Sequence, residues 1–247
     1  MKKIKLSIVA MLLLGAVACK KTDNSGGSVT GNVSNAEAAD MVAGSLSMNS
    51  NGVANVSADA TLDATAYVNT HVACGTSKSD SISRQSSGGS AYSYSYNLKY
   101  NYVVNCVNNV PDNLSSSLVY SGSFSGPNLS STNSGSSIFT VGGLAPTATD
   151  FVINGEFKRS GSFQSKIDTT NHGNSSIDIV INALTITRPG RNIASGNATV
   201  SITGDVPKKG SFSYTGTLVF NGNGTATLTL NGTVYTINLM TGARVKV

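Results

Sequence analysis

Two-residue alternation from Ile177 onward is what most constrains the fold of this chain. Apolar or small residues alternate with Ser, Thr and Asn along 177–187, 193–203, 211–220, 225–230 and 233–239. Successive side chains of an extended strand point to opposite faces, so this period builds one buried face and one wet face. Pro189-Gly190, Lys208-Lys209-Gly210, the Asn-Gly-Asn-Gly stretch at 221–224 and Asn231-Gly232 separate the runs. Asn-Gly supplies the positive φ angles of a type I′ turn, which predicts hairpins at Asn231-Gly232 and at Asn154-Gly155.

Consecutive hairpins make a meander, and no long helical period lies between the strands to suggest parallel βαβ units. The expected fold is all-β: an antiparallel meander forming a sandwich or a curved, partly closed sheet, with one short N-terminal helix. Ser34-Asn35-Ala36-Glu37 fits a capping box, and Ala38, Met41, Val42 and Leu46 then fall on one helical face. A helix over about 35–46 is therefore expected to plug or cover one end of the sheet. After residue 52 the period reads as two throughout, which places His71 in a strand; His172 falls in the polar 169–176 loop.

Cys74 and Cys106 are expected to form a disulfide, because they lack the paired spacing of zinc ligands. Closing a loop of that length stabilises by about 3 to 4 kcal/mol in the chain-entropy model. The bridge also sets a register. If Cys74 faces Cys106 across antiparallel strands, then Ile82 pairs with Leu98, Arg84 with Tyr96, Asp80 with Tyr100 and Lys78 with Tyr102. A loop of about 87–93 remains. A tight turn at Gly88-Gly89 would leave the cysteines about 10 Å out of step. In this register Tyr92, Tyr94, Tyr96, Tyr100 and Tyr102 share one strand face beside charged residues. That segment supplies no partners for buried charges, so the face reads as partly wet and as a candidate platform for sugar rings or a partner protein. The plainer reading of such a stripe is a half-buried packing face.

The N-terminus carries Lys2, Lys3 and Lys5, an apolar run from Leu6 to Val17 and small residues before a cysteine, the three parts of an export signal. The run is shorter than the roughly 20 residues of a membrane-spanning helix. Ala16-Val17-Ala18-Cys19 resembles the lipobox of bacterial lipoproteins. The resemblance implies cleavage before Cys19, acylation of that residue and attachment to the membrane by lipid. Ala16 stands where the family favours Leu, which leaves simple secretory cleavage after Ala18 as the alternative. Lys20 after the cysteine looks like outer-membrane sorting, and Lys20-Lys21-Thr22-Asp23-Asn24 is similar to short signals that send lipoproteins to the cell surface, so the domain is expected to face the periplasm or the cell exterior. The division is then a signal peptide at 1–18, a lipidated flexible tether at 19–33 and a single antiparallel β domain at 34–247.

The whole chain has 17 Lys and Arg against 12 Asp and Glu; without the three signal lysines 14 remain, so the mature domain is close to neutral. The remaining basic doublets, Lys158-Arg159 and Lys208-Lys209, are isolated, which argues against nucleic acid as a partner. No nucleophile-elbow, zinc-protease, paired-cysteine or phosphate-loop motif occurs, and no metal or cofactor is expected. A paired-carboxylate hydrolase would have to draw on Asp150, Asp168, Asp178 and Asp205, which fall mostly at strand ends or turns. Asp80-Ser81-Ile82 and Asp168-Thr169-Thr170 resemble the acceptor triplets of some bacterial O-glycosylation systems. The expected function is that of a non-catalytic, lipid-anchored lipoprotein with a structural or protein-interaction role. Two alternatives stand beside it: glycan binding by the tyrosine face, and lipid carriage in a cavity of the curved sheet.

Overall fold

The computed structural model describes residues 33–87 and 92–247. It is mostly antiparallel β. Helix α1 (Asn35–Leu46) is followed by a short 3-10 turn (Met48–Ser50) and helix α2 (Val53–Thr70). Eleven strands come next: β1 (Ser77–Gln85), β2 (Ser93–Val107), β3 (Val110–Ser125), β4 (Leu129–Gly142), β5 (Asp150–Ser165), β6 (His172–Thr187), β7 (Asn192–Val206), β8 (Gly210–Phe220), β9 (Thr225–Leu230), β10 (Thr233–Asn238) and β11 (Arg244–Lys246). They form one sheet in chain order, so each strand pairs with its sequence neighbours and β1 and β11 are the two edges. The architecture is a curved sheet that does not close, rather than a sandwich.

The local chemistry follows the sequence closely. Glu37 N–H donates to the Ser34 hydroxyl at 3.2 Å and the Glu37 carboxylate receives the Ser34 N–H at 3.0 Å, so the capping box starts α1 where it was expected. Asn231 and Gly232 both have positive φ, as the type I′ hairpin requires. Asn154-Gly155 does not turn the chain. Both residues lie inside β5, at a register shift between Ile153 and Gly155, and the Asn154 side chain receives the Ala183 N–H at 2.9 Å. Gly155, with φ +145°, passes so close to β4 that a Cβ would lie 2.0 Å from the Ile138 carbonyl oxygen. The glycine serves a bulge. Further register shifts follow on β6 between Asn182 and Ile186, and bulges of this kind bend strands and increase their twist.

Helix α1 is not a plug at one end. Every residue from Glu37 to Leu46 is buried, and the helix touches β4, β6, β7, β9, β10 and β11. It lies on the concave side with sheet on several sides of it. Small residues permit the approach: Gly44 sits against the Phe124 ring, where a Cβ would be 2.5 Å from the nearest ring carbon. Residues 53–70, read from the sequence as strand, are a second helix on the same concave side. Its buried residues Val53, Val56, Ser57, Ala60, Thr61 and Ala64 follow helical spacing. Thr61, Thr65 and Thr70 each donate a hydroxyl proton to the carbonyl four residues back, which keeps these hydroxyls satisfied inside a helix.

Arg159 joins the two helices to the sheet. Alternation along β5 splits the doublet noted above: Lys158 faces out, whereas Arg159 faces in and is only 4% exposed. Its Nη1 donates to Gly44 O at 2.6 Å, Nη2 to Ser50 O at 2.7 Å and Asn51 O at 3.1 Å, and Nε to the Tyr120 hydroxyl at 3.2 Å. The rings of Tyr96, Tyr120, Phe124 and Phe157 surround the guanidinium at 5.5 to 5.8 Å. Carbonyls at the end of α1 have no partner within the helix, and this side chain supplies one. Arg159→Met removes a donor from three buried carbonyls and is expected to lower the unfolding free energy by about 3 kcal/mol or more. Lys158→Met is expected to leave the midpoint unchanged. Urea denaturation of both variants measures the difference.

Candidate functional site

The cysteine sulfurs lie 2.07 Å apart, at bonding distance, and the strands pair as the bridge requires. Ile82 faces Leu98, Arg84 faces Tyr96, Asp80 faces Tyr100 and Lys78 faces Tyr102. Gly88 and Gly89 lie outside the described residues, and the register on either side is that of the wider loop.

The tyrosine face is a packing face. Tyr96, Tyr100 and Tyr102 are 1%, 2% and 1% exposed, Tyr94 packs half-buried against the same core, and Tyr92 precedes the strand. This is the plainer of the two readings given above; the platform reading rested on a β1–β2 segment without partners for its charges, and α2 supplies them. Asp59 receives both terminal nitrogens of Arg84, at 2.8 and 2.9 Å, and the Tyr100 hydroxyl at 2.5 Å. Asp63 receives Lys78 at 3.0 Å. Burial pushes the Tyr100 and Tyr102 hydroxyls far above the ordinary range, and the neighbouring Asp59 and Asp63 charges add to it. Both tyrosines are therefore neutral donors inside the helix–sheet interface.

The other edge is tied in the same way. From β11, Arg244 Nη2 donates to Asp40 of α1 at 2.9 Å and Nε lies 2.8 Å from the second oxygen. Asp40 also receives the Asn128 amide at 3.1 Å. Burial pushes the Glu37 carboxyl of α1 up, but hydrogen bonds from Asn171, Ser34 and Ser165 outweigh it and hold the group below the usual carboxylate range.

The remaining single residues take ordinary places. His71 is the left-handed residue that ends α2, not a strand residue; its N–H bonds back to Val68 O. His172 is the first residue of β6 and is exposed. Lys158 bridges Glu156 at 2.8 Å and Asp178 at 3.7 Å across the open outer face, a carboxylate pairing that no sequence spacing reveals because it crosses strands. Ser81 and Thr169 of the two glycosylation-like triplets are exposed. Among the described residues no three His, Cys, Asp or Glu side chains gather as metal ligands, and no helix is long and apolar enough to cross a membrane. The lipobox-like segment with Cys19, and nearly all of the tether, lie outside the described residues.

Beside Arg159 a space of about 10 Å³ is left between helix and sheet. The outer face does carry a trough, of about 740 Å³. Two rows of paired residues line it. Ser95, Ser123, Thr132, Ser162 and Asn174 are successive partners from β2 to β6, and Ser93, Ser125, Ser130, Gln164 and His172 are the next row. No carboxylate, ammonium or guanidinium group lines it. Such a surface offers neutral donors and acceptors at the strand spacing of about 4.8 Å.

The chain matches no protein-family model, no curated protein and no solved structure.

Burial is the leading cause of the upward shift at Tyr67, Tyr100, Tyr102, Tyr120, Tyr214 and Tyr235. The folded chain thus retains these protons at pH values where the unfolded chain, near the ordinary 10.0, releases them. Their contribution is fully present below that pH and is lost above it. Stability measured by urea titration is expected to be flat from neutrality to about pH 9 and to fall steeply above about pH 10, with a shallower fall in Tyr100→Phe.

Proposed function

We propose that this chain is an exported, lipid-anchored, non-catalytic protein that presents its β domain to the cell exterior or the periplasm for interaction with other surface components. The observation that carries the reading is the pairing of Cys74 with Cys106, which suits an oxidising compartment and agrees with the export signal that ends at Cys19. The hydroxyl-rich trough of the outer face supports a role in contact rather than chemistry. Intact mass of the protein from native membranes tests the reading. The expected mass is that of an acylated chain beginning at Cys19, gaining two alkyl groups only after reduction. An unacylated chain would remove the membrane from the account.

Glycan binding is the second reading, and the trough favours it over the tyrosine stripe. A sugar's hydroxyls can replace water along two rows of hydroxyl and amide side chains; at one end Lys166 donates to Ser125 at 2.7 Å and the Gln164 amide donates to Ser165 O and Thr169 O. Ser162→Trp fills the floor of the trough and is expected to abolish retention on a column of neutral polysaccharide. Tyr100→Phe, remote and buried, is expected to retain it. Equal retention of both variants would contradict the trough as the site.

A further inference from the structure

The chain enters the fold at one end of the sheet. Val33 O accepts the Tyr214 hydroxyl and Asn35 donates to Thr233 at 3.1 Å, beside the β7–β8 and β9–β10 turns. At the opposite end, with the β2–β3 turn, the β4–β5 loop and the end of α2, lies a pocket of about 440 Å³. Its walls are mainly aliphatic: Val68 and Val72 from the helix side, Val104 and Val110 from the hairpin, Leu144 from the loop, with Tyr67 and Cys74 beside them.

The pocket is a surface hollow with an exposed rim at Ala73, Val110, Pro111 and Ala145, over buried Val104 and Leu144. Here each wall is held separately. Backbone bonds from His71 and Val72 to Val68 and Tyr67 lock the end of α2. Cys74 is bridged to Cys106, and the adjoining Gly75 N–H donates to Val104 O at 2.9 Å. The β4–β5 loop is pinned by Arg188, which donates to Gly143 O and, at 3.1 Å, to Ala145 O while its guanidinium stacks 4.5 Å from the Phe151 ring centre. The next residue, Pro189, shares the Thr65 hydroxyl proton of α2 with Thr61 O, each oxygen at 2.8 Å, which brings α2 against the loop. A hollow held on three sides, of this volume and with this lining, has the character of a small-molecule site.

We infer that this pocket binds a small, uncharged, mainly apolar molecule, with the buried, unpartnered Tyr67 hydroxyl, His71 and Asn109 as its hydrogen-bonding groups. No acidic or basic side chain other than the imidazole lines the space, so a charged ligand would lose its hydration with no compensating partner. The site opens at the end away from residue 33 and is independent of the lipid anchor proposed above.

Titration of the purified domain with the neutral fluorophore 1-N-phenylnaphthylamine tests this. A saturable, one-to-one rise in fluorescence is expected. Ala145→Trp and Ala73→Phe, at exposed positions lining the pocket, are expected to weaken it by at least about tenfold with unchanged thermal midpoints. Ser162→Trp on the outer face is expected to leave the titration unaltered. Non-saturable binding, or binding that survives both pocket variants, would overturn the proposal and place the dye on exposed apolar surface outside the pocket, such as Val107 of the hairpin tip.

Discussion

A guanidinium group buried without a carboxylate can persist only if every N–H finds an acceptor, and the turn between two buried helices can persist only if its carbonyls find donors. Arg159 goes most of the way on both counts: four of its five N–H groups reach acceptors, at Gly44, Ser50, Asn51 and the Tyr120 hydroxyl. Removing the charge from water is costly, and the hydrogen bonds together with four surrounding aromatic rings offset that cost. The concave side of the sheet is occupied by helix because this side chain, rising from the middle of β5, fixes where the helical turn sits.

The edges follow the same logic. Each end of an unclosed sheet is tied to one helix by an arginine–carboxylate pair, Arg84 with Asp59 at β1 and Arg244 with Asp40 at β11. An open edge strand invites pairing with other chains, and inward-turned charges together with the brevity of β11 guard against it. With helices packed on the concave side, the outer face carries the trough and the loop ends carry the apolar pocket.

Much of this was legible in the sequence. Period-two alternation located β7 to β10 closely and β6 from Ile177 on, missing its polar start at 172–176; the capping box located α1, and the disulfide assumption alone set the β1–β2 register. Helix α2 was not legible as a helix, because its buried face mixes Ser57 and Thr61 with Val53, Val56, Ala60 and Ala64, and small residues of both kinds imitate alternation. That single misreading propagated. Without α2, Arg84 and Lys78 had no partners, so the tyrosines beside them read as wet. Asn154-Gly155 failed for a different reason: a positive φ at glycine serves a bulge as well as a turn, and only the neighbouring strand decides which. The role of Arg159 rests on contacts more than a hundred residues apart in sequence, which no local pattern encodes.

Native-state hydrogen exchange most directly tests whether the helices are structural members of the sheet rather than attachments to it. If Arg159 and the edge pairs dock them as described, the amides of α1 exchange only through global opening, with the same free energy as the central amides of β5 and β6. Exchange of α1 through a separate, lower-energy opening, while the strands stay protected, would contradict the account.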